Sequence, residues 1–236
     1  MERGIQVVLV CAVFALAMSS GVLGQTAEFS HVITNSDNWE DVYSAIHYAN
    51  LNAVGSDFLF IPRHGQLLWR GIDKDRYIRV VNSRTRAYAI NYDNQLRNEG
   101  FSDADELVVD NANLELIEED ELEGIENFII VGSDYGYNAI AVAPYAVITR
   151  SWVFIVDNAN VDDVDAILGN REVDNVLIYG FVERGVRDTL AKYDPEIIDN
   201  GDRFKDNAEI VDKYIEIQPA TQIVLTNGEF IEKEIM

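Results

Sequence analysis

The chain has 236 residues, 48% of them hydrophobic, with 41 acidic side chains against 18 basic ones and a formal charge of −23 at pH 7. A surface this negative repels nucleic-acid phosphates and anionic lipid headgroups, which argues against both as partners. Cys11 is the one cysteine and lies in an apolar leader, so the folded part must be held by packing.

The leader comes first. Arg3 is followed by GIQVVLVCAVFALAMSSGVLG, an apolar run ending in small residues. Val22 and Gly24 fit the small positions before a signal-peptidase cut, so residues 1–24 read as a secretory signal peptide. The run also approaches the ~20 residues that span a bilayer. A third reading rests on ERG at 2–4, which resembles an archaeal prepilin processing site. A cut after Gly4 would leave the apolar segment as the core of a filament subunit.

Beyond the leader, short apolar runs recur. They are VIT from Val32, FLFI from Phe58, AYAI from Ala87, LVV from Leu107 and FIIV from Phe128. WVFIV from Trp152, NVLIY from Asn175, EII from Glu196 and QIVLT from Gln222 follow. Continuous apolar runs predict strands buried on both faces. The intervals leave room for one helix each. The pattern predicts an α/β fold of repeated βα units forming parallel sheets covered by helices.

The intervening segments carry helical periodicity. NWEDVYSAIHYANL sets Trp39, Val42, Ala45, Ile46 and Ala49 on one face. VDDVDAILGN does so with Val161, Val164, Ile167 and Leu168, and FKDNAEIVDKYIEI with Phe204, Ala208, Val211 and Ile215. Residues 62–86 break the rhythm. They hold six of the thirteen arginines and read as a hairpin or excursion.

One hexamer is written three times: VITNSD at 32–37, IIVGSD at 129–134 and VLTNGE at 224–229. Such self-similarity marks an internal repeat. A second echo, VVDNAN at 108–113 and IVDNAN at 155–160, reads as a strand running into a helix capped by Asp or Asn. The chain then divides into residues 25–126, a divergent first repeat, 127–200, a second repeat, and 201–236, the start of a third unit packed on the second or on a neighbouring molecule.

The order of motifs from Phe128 resembles the cell wall-binding repeat 2 family. IIVGSD leads to AVAPYA at 141–146, WVFIVD ends on Asp157, and VLIYG ends on Gly180. NGDRFKDNAEIV at 200–211 then supplies the turn that opens the next unit, with Gly201, Asp202, Arg203 and Phe204. Residues 32–61 fit an earlier copy: VITNSD, then HYA where PYA stands, then FLFIP. That copy lacks the Gly-Asp-Arg turn, and AYAINYD stands for VLIYG. Bacterial members of the family usually carry three units, whereas this chain shows two and the start of a third. The resemblance implies a non-catalytic, exported protein of the cell surface or cell wall, bacterial or archaeal. Its partner would be a cell-wall polymer or a surface-layer protein, and a homo-oligomer is compatible with it. The turns Asn35–Asp37, Gly132–Asp134 and Gly201–Arg203 would make the contacts, which puts Asn35, Asp37, Ser133, Asp134, Asp202 and Arg203 forward as binding residues.

The residues themselves leave other readings open. Asp37, Asp134, Asp157 and Asp199 fall at predicted strand ends, the rim where parallel α/β sheets bind ligands and where helix caps also sit. An exported α/β hydrolase or transferase with an acidic, metal-assisted site is therefore an alternative. FLFIPRHGQ presents Arg63-His64-Gly65 after a strand, as histidine phosphatases do. That chemistry needs a second histidine, and His31 and His47 both lie upstream. GSDYGYNA lacks the spacing of a dinucleotide fingerprint, and neither a P-loop nor a zinc pattern occurs. Ala159 stands where a calcium loop needs an oxygen ligand. No cofactor is expected beyond weak binding of divalent cations by clustered carboxylates. Arg203, following Asp199 and Asp202, predicts a fork onto carboxylate or carbonyl oxygens, with Arg171 expected to matter little.

Overall fold

Eight strands and eight helices alternate along the described residues 27–61, 63–134 and 136–219 of the computed structural model. The leader, the QIVLT segment and the third hexamer lie outside them. The first unit contains β1 (His31–Asn35), α1 (Trp39–Leu51), β2 (Gly55–Phe58), α2 (Gly65–Leu68), β3 (Tyr77–Ser83), α3 (Tyr92–Asn98), β4 (Asp103–Val109) and α4 (Ala112–Glu115). The second contains β5 (Asn127–Gly132), α5 (Gly136–Ile148), β6 (Ser151–Val156), α6 (Val161–Gly169), β7 (Asn175–Tyr179), α7 (Arg184–Leu190) and β8 (Glu196–Ile198), and α8 (Arg203–Ile217), expected to open a third unit, packs on its α5.

All strand pairs are parallel, in the orders β2-β1-β3-β4 and β6-β5-β7-β8. The two orders are the same, and the fold is α/β, with parallel sheets alternating with helices. Helices cover both sheet faces, which is why the strands read as unbroken apolar runs. In β5, Phe128 and Ile130 face a core shared with α1 of the first unit, whereas Ile129 and Val131 face Ala139, Val142 and Ile210. Ile33, Ile78 and Val80 close a third cluster with Trp69, Tyr92 and Leu96.

Residues 62–86 are not a hairpin. Their second half is β3, a central parallel strand. YIRVVNS therefore stands where VLIYG stands in the second unit, and AYAI falls in the loop that follows. Arg79 disguised the strand. Its side chain is only 13% exposed, stacked 4.4 Å from the Phe29 ring centroid and bonded to Asp105 (3.1 Å), Glu121 (2.9 Å) and the Tyr48 hydroxyl (3.0 Å). FLFI is likewise displaced: β2 ends at Phe58, the Leu59 N–H donates to Thr34 O (2.8 Å), and Phe60 and Ile61 lie exposed beyond. VVDNAN spans β4 into α4, and IVDNAN runs from β6 to the N-cap of α6, Asn160. The echo therefore marks two strand–helix corners at non-equivalent places.

β6 is an edge strand, yet all six of its residues are buried. Side chains from the first unit close it. Asn113 on α4 donates from Nδ2 to Val153 O (2.8 Å), and its Oδ1 accepts the Ile155 N–H (2.8 Å), the two bonds a neighbouring strand would make. Its backbone carbonyl accepts the Trp152 indole N–H (3.1 Å), and its Nδ2 also reaches Ser44 Oγ (3.0 Å). Asp41 holds the start of α4 by accepting the Ala112 N–H (3.1 Å), and it is itself oriented by the Ser36 hydroxyl (2.7 Å). His47 on α1 donates from Nε2 to Ser151 O (2.8 Å) and packs on Trp152.

The connection between units is tied down by Arg171. Its guanidinium donates to the carbonyls of Ile117 (3.1 Å), Leu122 and Glu123 (3.3 Å) with the side chain 12% exposed. Arg203 forms no such fork among the described residues: its guanidinium lies 5.0 Å from the Phe204 ring centroid and 5.6 Å from that of Tyr137. Arg187, not Arg203, pairs with Asp199. The expected order of importance is therefore reversed. Arg171→Ala should cost about 3 kcal/mol by stranding buried carbonyls, while Arg203→Ala should cost under about 1 kcal/mol as an outer cation–π contact. Chemical denaturation of both variants checks this, and equal losses would contradict it.

His47 supplies a pH dependence. Burial pushes its pKa down to about 4, against the pull of the Ser151 carbonyl. The unfolded imidazole, near 6.5, binds a proton sooner, so stability is full above about pH 6.5 and falls as the pH drops toward 4. We predict a loss of about 2 kcal/mol between pH 7 and pH 5, measured by urea melts. His47→Gln, which keeps a donor to Ser151, should remove most of that slope; an unchanged slope would show that another group carries it.

Candidate functional site

The ends of β5, β6 and β7 converge on a cleft of about 290 Å³ lined by Gly132, Ser133, Asp134, Asp157, Phe181 and Glu183, among others. This is the carboxyl rim of a parallel sheet, where α/β proteins bind ligands. Gly132 is required there: a Cβ on it would stand 2.7 Å from the Phe181 carbonyl oxygen. The turn after β7 is made by Gly180 at φ +71°, in the left-handed region that favours glycine. That turn delivers Phe181 to the surface with 59% of its area exposed.

Two of the three carboxylates lining the cleft also hold the backbone. Asp157 Oδ1 accepts the N–H groups of Ala159 (2.8 Å) and Asn160 (3.2 Å), and its Oδ2 accepts the Ser133 hydroxyl (3.3 Å). Glu183 Oε2 accepts the Asn158 N–H (2.7 Å). Asp134 is exposed. From the first unit Glu40 approaches: its carboxyl is held above the usual range by burial, then by the nearby charges of Asp41 and Asp157. Trp39 lies against Gly136 at the same border. The arrangement suits a neutral, hydroxyl-bearing ligand or a cation, with Phe181 as an apolar platform. It disfavours a bare polyanion.

The six residues expected to bind do not form one site. Ser133 and Asp134 line the cleft. Asn35, which occupies the first-unit position of Gly132 in the repeated hexamer, is fully buried. It donates to Asn82 Oδ1 (2.5 Å) and Ala89 O (2.6 Å) and accepts from the N–H groups of Tyr88 (2.9 Å) and Ala89 (3.1 Å). It thus ties β1 to β3 and to the loop that follows β3. Asp37 pairs with Arg86 (2.5 Å). Asp202 is the N-cap of α8, accepting the Phe204 N–H (2.9 Å), and Arg203 stacks as described. Phe181, Glu183 and Glu40 were not singled out from the sequence. The exposed aromatic directly after VLIYG was the one available signal.

A larger cavity, about 490 Å³, opens at the opposite end of the first sheet beside His31, Asp57 and Arg76. His31 spends Nε2 on Asp57 (2.9 Å), and its Nδ1 is buried beside Gly55 without a hydrogen-bond partner. His64 instead contacts Phe58 O (3.1 Å) and Phe60. The three histidines therefore have separate partners. Among the described residues no group of three or more His, Cys, Asp or Glu side chains is placed to hold a metal ion, and no helix is long and apolar enough to cross a membrane.

No family model matches the sequence, and no curated protein does. Among solved structures the fold is similar to that of Cwp6 from Clostridium difficile, with 12% identity and a TM-score of 0.58 over 80% of this chain and 32% of that one. The chain thus spans about a third of Cwp6, and what the two share at this identity is the fold.

Proposed function

We propose that this protein is an exported, non-catalytic module of the cell surface that attaches to a cell-wall polymer or a surface-layer protein. The observation that carries the reading is the likeness of its two-unit fold to Cwp6, a cell wall protein. The cleft at Ser133, Asp134, Phe181 and Glu183 supplies the contact surface. Its carboxylates accept hydrogen bonds from sugar hydroxyls while Phe181 packs on an apolar ring face. An anionic polymer would need divalent cations to bridge it to these acids. No other cofactor enters this reading.

Sedimentation with walls isolated from the source organism, with and without a divalent-cation chelator, tests it. Phe181→Ala should weaken wall binding by about tenfold, which is 1.4 kcal/mol, with the melting point unchanged. Full retention by that variant would move the contact elsewhere, and a wild-type protein that stays in the supernatant would overturn the wall reading. The second reading, an acidic-rim hydrolase or transferase, is favoured by the raised carboxyl of Glu40 beside Asp157. It requires release of soluble wall fragments that Glu40→Gln abolishes.

A further inference from the structure

We propose that copies of this chain associate head to tail, the α5/α8 face of one docking on the β2 end of the next. The docking would use the equivalent surfaces that join the two units within each molecule, with apolar packing where the internal contact has hydrogen bonds. The inference goes beyond wall attachment and does not depend on it.

Each unit has two ends. In the first, α1 and α4 grip the neighbouring edge through Tyr43, whose hydroxyl donates to Ala139 O (2.9 Å), and through His47 and Asn113. The hexamer register carries Tyr43 to Ile140 and His47 to Pro144. The shared N-caps, Asn111 and Asp202, carry Asn113 to Phe204. All three counterparts are apolar and exposed, Phe204 by 66%. The stripe of α8 expected to be its core face, Phe204, Ala208, Val211 and Ile215, is instead exposed or half-buried, and Asp206 and Ile210 face inward. A helix whose apolar stripe faces outward is built to be covered.

The complementary end is equally open. Ser56 and Phe58 of β2 stand where Val153 and Ile155 stand in β6. β2 is an edge strand whose residues are half-buried or exposed, where β6 is buried throughout. Phe58, Phe60 and Ile61 are exposed beside it. From Arg63 to Arg76 four cationic side chains stand against two carboxylates, whereas Asp199–Ile217 sets six carboxylates against three cations. The two ends are thus matched in apolar character and opposite in charge. An edge strand left bare is a template for association, and a contact between two different surfaces propagates to a ring or a filament.

Sedimentation velocity of the purified mature chain over about a hundredfold concentration range tests the proposal, since association shifts by mass action. Wild type should grow in mass with concentration. Phe204→Asp and Phe60→Asp should each remain monomeric with an unchanged melting point. An equimolar mixture of the two should form dimers and nothing larger, because each variant keeps one intact end. Phe204→Ser and Phe60→Ser replace them should an aspartate unfold its copy. A wild type that stays monomeric, variants that associate like wild type, or a mixture that stays monomeric would each overturn the proposal.

Discussion

The structure depends on how the bare edge of β6 is closed. A parallel edge strand offers N–H and C=O groups that must find partners once buried. Here the partner is not a strand but one amide side chain. Asn113 gives Val153 an N–H and takes the N–H of Ile155, which fixes the first unit against the second at hydrogen-bond precision. Leaving those two groups unpaired would cost about 1–3 kcal/mol each. Everything behind Asn113 holds it in place: Ser44 on its amide, Asp41 on the start of α4, Ser36 on Asp41, and His47 one step along the same edge.

That docking also places the rim. Bringing α1 against the second unit sets Glu40 near Asp157 and Trp39 against Gly136, so the acidic cleft borders both units although only the second unit lines it. The units differ where they should be alike. Asn35 ties down the loop after β3, whereas its counterpart Gly132 lines the cleft.

The parallel α/β fold was legible because burial on both sheet faces writes itself as continuous apolar runs. β1, β5, β6, β7 and α1 stand where periodicity set them. Two of the failures share a cause: long-range polar pairing has no local signature. Arg79 made a central strand look like a surface excursion because its partners Asp105 and Glu121 lie 26 and 42 residues away. Arg203 was given the role of Arg171, because a guanidinium that finds three carbonyls about fifty residues upstream leaves no trace in its own neighbours. The α8 stripe was read as core because amphipathicity says which face is apolar and not what covers it. Ser133 and Asp134 were found from a repeated turn; Phe181 and Glu183 required knowing that β7 ends beside β5.

The central claim is that a side chain of the first unit completes the sheet of the second. Amide hydrogen exchange at Ile155 reads this directly, since its N–H has Asn113 Oδ1 as partner. In the wild type that amide should exchange only through global unfolding, as slowly as the amides of β5. In Asn113→Ala it should exchange through local opening, well before the β5 core. Rapid exchange in the wild type, or the same protection in both proteins, would contradict the account.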